Sequence, residues 1–126
     1  MPAKNTPTYL RTHQLRGSVM HFALSAEDAG LRARASASKS GRAAKTLVKE
    51  GPLRITLVAL TQGTVLGSHE VAGPLSIQSL RGHLRILTDT GDVDVPAGSL
   101  AVLDAGVAHS ARALEDSAVL ISVTMD

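Results

Sequence analysis

The pattern of apolar and polar positions changes character near Thr46. Before that point, residues 1–18 mix Thr with basic residues at no clear period and read as a loosely ordered arm. Val19–Leu24 reads as a short strand. Ser25-Ala26-Glu27-Asp28 then carries the marks of a helix start. Ser25 supplies a capping hydroxyl, and the acids suit the positive end of a helix. Ala, Leu and Arg continue the helix to about Ser38, and Gly41 stops it. Gly30 weakens it from within.

From Thr46 onward, short apolar runs alternate with turn residues. Turn signals recur roughly every eight to twelve positions, which is the rhythm of an antiparallel sandwich or barrel. Strands are expected at Thr46–Lys49, Leu53–Leu60, Val65–Val71, Leu75–Leu80, His83–Leu87, Val93–Val95, Leu100–Leu103, Ala108–Ala113 and Ala118–Thr124. The punctuation between them includes Gly51-Pro52, Gln62-Gly63, Arg81-Gly82, Pro96-Ala97-Gly98 and Asp104-Ala105-Gly106. In Leu53–Leu60, one face carries Leu53, Ile55, Leu57 and Ala59. The other begins with Arg54 and Thr56 and ends with Val58 and Leu60, so the strand goes from one buried face to two.

A length of 126 residues allows one core and predicts one domain. Residues 1–45 form its arm and helix, and residues 46–126 its barrel. With one Phe, one Tyr and no Trp, the core has to be aliphatic. The same scarcity argues against a nucleic-acid binder that stacks bases on aromatic rings. The absence of Cys excludes disulfides, thiolate ligands and a Cys nucleophile. Neither a leader-like apolar run nor a membrane-length one is seen, so a soluble cytoplasmic protein is expected. Charge is unevenly spread. Residues 1–54 carry ten Lys/Arg against three Asp/Glu, and residues 55–126 carry three against eight. The basic residues are dispersed, which fits a basic N-terminal region beside an acidic barrel better than a nucleic-acid-binding arm.

The glycine and histidine spacing resembles the cupin superfamily, in particular small RmlC-like members. The first cupin motif runs Gly, five residues, His-x-His, three or four residues, Glu, six residues, Gly. Here Gly63 is followed by five residues and His69, and Gly82 closes the motif at the expected distance. The second motif runs Gly, five residues, Pro-x-Gly, two residues, His, three residues, Asn. Here Gly98, Asp104-Ala105-Gly106 and His109 fall at those positions. Fifteen residues, 83–97, separate the two motifs. The resemblance spans residues 46–124 and implies an all-β cupin-type double-stranded β-helix, a jelly-roll barrel, with a short N-terminal helix. It also implies a homodimer, which an exposed arm and a two-faced apolar strand would suit.

The departures fall on the ligands. Val71 stands at the second His, Leu75 at the Glu, Asp104 at the Pro and Ala113 at the Asn. Of the metal ligands the resemblance implies, His69 and His109 remain. Val71 and Leu75 share parity with His69 and make the expected pocket floor apolar, with Ile77 beside it. That is a poor setting for a partly ligated cation.

His69 and His109 therefore have three readings. They are residual ligands of a divalent Fe, Mn, Ni or Zn ion, metal-free polar groups that fix a small ligand or move protons, or ordinary pocket-edge histidines. Glu70 should face away from His69, and a bulge would be needed to make it a carboxylate ligand. Gln78 has parity opposite to Leu75 and suits a sheet neighbour. Asp104 reads as a turn residue, with an Asp104–His109 proton shuttle as the alternative. His13, His21 and His83 match no motif position, and His21 and His83 read as surface residues. A phosphate-binding Gly loop, a Gly-x-Ser-x-Gly elbow and a His-Glu-x-x-His pair are all missing.

The expected function is a small cupin-domain protein binding a small organic ligand in an aliphatic barrel pocket lined by His69, Val71, Leu75, Ile77 and His109, with no tightly bound cofactor. The alternative is a metal-dependent enzyme of oxygenase, isomerase or lyase type, built on a two-His site at His69 and His109.

Overall fold

The computed structural model describes residues 19–69 and 73–124, so the expected arm, His13, Glu70 and Val71 lie outside the described residues. Among the described residues, one helix, α1 (Leu24–Ala37), precedes nine strands. In order they are β1 (Arg42–Glu50), β2 (Leu53–Leu60), β3 (Val65–His69), β4 (Leu75–Arg81), β5 (His83–Thr88), β6 (Gly91–Pro96), β7 (Leu100–Leu103), β8 (His109–Ala113) and β9 (Ser117–Thr124). They form two sheets, ordered β1-β2-β9-β4-β7 and β3-β8-β5-β6. Every pairing is antiparallel. This is the antiparallel barrel that the strand rhythm predicts, with the jelly-roll form that the cupin resemblance implies.

Side-chain alternation divides the apolar residues into two layers. Inside the barrel lie Val58 and Leu60 from β2, with Leu75, Ile77, Leu84, Ile86, Val95, Leu103, Ala111, Ala113 and Val119. On the outer face of the five-stranded sheet, Leu57 and Ala59 of β2 pack with Leu47, Val48 and the helix residues Leu31 and Ala35. Strand β2 therefore serves both layers, and its second apolar face is covered by α1 rather than left for another subunit.

Two ion pairs fix the helix over that face. Lys45 Nζ donates to Glu27 Oε1 at 2.8 Å. Arg81 holds Asp28 through two nitrogens, at 2.9 and 3.1 Å. The expected cap does not form: Ala23 takes the N-cap position and no side chain bonds there. Asp28 is instead drawn down to Arg81, because a half-buried bidentate guanidinium–carboxylate pair outweighs a local cap at an exposed helix end.

Residues 19–23 are irregular, in place of the strand expected over Val19–Leu24. No described strand pairs with them, and Phe22 and Leu24 pack against the helix–sheet layer instead. Strand β1 starts at Arg42, ahead of the expected Thr46, because residues 42–45 pair with 57–60 of β2. His83 is only half exposed, and its N–H donates to the buried Ser117 Oγ at 3.1 Å, which corrects the expectation of a surface position.

The chain reversals sort the barrel into two ends. The β4–β5, β6–β7 and β8–β9 turns close one end; the β3–β4, β5–β6 and β7–β8 connections surround the other, the mouth. Gly82 is needed at the closed end. Its φ is +80°, and a Cβ there would meet the Asp116 carbonyl and the Ser117 side chain.

Candidate functional site at the barrel mouth

The four-stranded sheet contributes a row across its last turn of register: His69 pairs with His109, and His109 pairs with Thr88. Regular alternation would not produce this row. Leu66 pairs with Ala111, and both belong to the barrel interior. Strict pairing from there would set Ser68 opposite His109. Instead the register shifts between Leu66 and His69, and the extra residue brings His69 into line with His109. The register shift thus sets the His69 backbone opposite His109.

His109 is buried, at 4% exposure. Its Nδ1 lies 3.0 Å from the Val107 carbonyl oxygen. A carbonyl can only accept, so Nδ1 carries the proton in the neutral ring and Nε2 carries the lone pair. The β7–β8 turn supplies this restraint. Asp104 Oδ1 accepts from the Ala105 N–H at 2.9 Å, so Asp104 acts there as a turn residue. Gly106, with φ +79°, turns the chain toward Val107.

The opposite wall comes from the five-stranded sheet. Register links Arg54, Val123, Leu75 and Leu103 across β2, β9, β4 and β7 in a single row. The next row inward holds Thr56, Ile121, Ile77 and Ala101. Leu75 and Ile77 are buried, at 4% and 3% exposure, and belong to the barrel core. Gln78 faces outward and is exposed. His21 is exposed on the irregular segment before α1.

Arg54 is the residue at the mouth that sequence reasoning passed over. It shares parity with Val58 and Leu60, which point into the barrel, and it pairs with Val123. That parity was the available signal. Its Nη1 donates to the carbonyls of Gly51 and Leu53, at 2.7 and 3.3 Å.

The chain is similar to several solved structures. A conserved protein of unknown function from Streptococcus pyogenes is 22% identical over 97% of this chain and 98% of its own, with a TM-score of 0.67. A cupin superfamily protein from Desulfitobacterium hafniense is 18% identical over 68% of this chain and 78% of its own, at 0.65. An RmlC-like cupin from Desulfovibrio desulfuricans is 22% identical over 66% of this chain and 81% of its own, at 0.61. No protein-family model matches the chain. No curated protein matches its sequence. The fold is that of the cupin superfamily, the RmlC-like jelly roll, as the glycine and histidine spacing implies.

Cupin folds commonly carry a metal, so the donor set matters. A firmly held divalent ion takes about three or more protein ligands. Among the described residues, no group of three His, Cys, Asp or Glu side chains comes together. The wall facing the histidine row offers Val123, Leu75 and Leu103. The described residues do not make up a site for such an ion. Also among them, no helix is long and apolar enough to cross a membrane.

Proposed function

We propose that this cupin-fold protein binds a small organic ligand at the barrel mouth, with His69 and His109 as its polar contacts. The observation that carries this reading is the bulge in β3, which aligns His69 with the buried His109 above an aliphatic interior. A bulge interrupts ladder bonding, and such irregularities gather where a strand must re-aim a residue. Burial and the Nδ1 bond to the Val107 carbonyl hold the His109 ring in place as one of the ligand's polar contacts. Leu75 and Ile77 supply apolar contact for the remainder of the ligand.

The test is a thermal-shift screen of small polar organic molecules on the wild type and on His109→Gln. A ligand at about 100 times its Kd should add roughly 2.7 kcal/mol, a rise of several degrees in Tm. The rise should vanish in the variant. Elemental analysis of untagged protein, beside a His69→Ala/His109→Ala double variant, checks the rival reading. About one metal per chain, lost in the double variant, would replace the ligand pocket with a metal-dependent enzyme.

A further inference from the structure

Resting on that reading, the cationic corner of the mouth identifies the ligand's chemical class. Arg54 opens the row that continues through Val123, Leu75 and Leu103. Its partner on the other side, across the β1–β2 ladder, is Lys49. Residues directly opposite in an antiparallel pair share a face, and like charges there repel. Natural sheets place an acid opposite such a cation, or compensate from the next strand. Here the next strand supplies Val123.

Lys45–Glu27, Arg81–Asp28 and Arg85–Asp94 form ion pairs among the described residues, and none of these involves Lys49 or Arg54. Arg54 is half-buried, and its hydrogen bonds run to two backbone carbonyls. Both carbonyls are reached through Nη1, which fixes the guanidinium without neutralising it. A guanidinium held at the β1–β2 turn, on the strand position whose row continues through Val123, Leu75 and Leu103, suits a carboxylate. The planar fork accepts two oxygens in parallel, and partial burial strengthens the pair over one in open water.

We propose that the mouth binds a small carboxylic acid with an aliphatic body. Its carboxylate sits at Arg54 with Lys49 adding charge, and its chain lies along Val123, Leu75 and Leu103.

Hexanoate and hexan-1-ol share one chain and differ in charge, so their affinities at matched ionic strength separate this inference from the pocket itself. Hexanoate should bind about tenfold more tightly than hexan-1-ol, the size of one partly exposed ion pair. Arg54→Gln should abolish that preference by weakening hexanoate binding, and an unchanged urea midpoint would report its intact fold. Arg54→Lys should retain a reduced preference. Equal binding of the two probes by the wild type would overturn the carboxylate assignment while the apolar pocket stands. So would a preference that survives in both Arg54→Gln and Lys49→Gln. Binding of neither probe would overturn both readings.

Discussion

The two ends of the barrel are built from the same strands but obey different rules. At the closed end, the buried hydroxyls are hydrogen-bonded, while His83 Nε2 is buried with no hydrogen-bond partner. Ser79 is fully buried and donates to the Val95 carbonyl at 2.6 Å. Ser117, also fully buried, donates to the Glu115 carbonyl at 2.8 Å and accepts from the His83 N–H at 3.1 Å. Turns interlock there, with the Gly98 N–H bonded to the Ser79 carbonyl and the Ala97 N–H to that of Gly82. At the mouth, β3 carries a register shift, as β4 does between Ser79 and Arg81 at the closed end, but a cation also faces a cation across the β1–β2 ladder. The two ends differ most in charge: the mouth sets Lys49 opposite Arg54, while the closed end ties its buried hydroxyls to backbone carbonyls. Substitutions at the closed end should therefore cost stability, and those at the mouth should cost binding.

The largest effect should come from the closed end's core. Leu84 has no exposed surface, and Leu84→Ala should lower unfolding stability by about 3 kcal/mol in urea titrations. A loss below about 1 kcal/mol would mean the end is loosely packed. Gly82→Ala should come next, at roughly 2 kcal/mol, because it combines a left-handed φ with a collision against the Asp116 carbonyl. Ser79→Ala should cost about 1 kcal/mol, the net worth of one buried hydrogen bond. Mouth variants such as Arg54→Gln should move urea midpoints less than any of these three. A larger loss there would dissolve the contrast between the ends.

The smallest effect lies on the outer face of the four-stranded sheet. Arg85 Nε donates to Asp94 Oδ1 at 2.7 Å. This bond holds the Asp94 carboxyl below its ordinary range and raises the Arg85 guanidinium. A carboxyl depressed by folding stabilises the protein above its unfolded value, and that share is lost as pH falls through the folded value. Asp94→Asn should therefore flatten the acid limb of the stability–pH curve, below about pH 4, and leave neutral stability nearly unchanged.

Much of the barrel is legible in the sequence because its signals are local. Alternation in Leu53–Leu60 and Leu75–Leu80 follows from the two-residue period of a strand, and the turns fall at glycines for steric reasons. Strands β2 and β7 occupy the expected residues, and the other ends shift by a few positions. The site is legible only in part. Its motif positions identify His69, Leu75 and His109, and the structure sets Leu75 and His109 inside the barrel. The Arg54–Lys49 pairing escaped, because it depends on the register between strands. So did Asp28, whose local reading as part of a helix start is overridden by Arg81, 53 residues away.

The sequence by itself determines where strands run, where they turn, which face of each is apolar, and that the core is aliphatic. Those properties reside in backbone sterics and side-chain chemistry within a few residues. Only the tertiary structure decides that a bulge aligns His69 with His109, that α1 covers the outer face of β2, and that Arg54 sits at the mouth rather than on the surface. Each of these depends on pairing between segments far apart in the chain, and a one-residue change of register would reverse every such assignment.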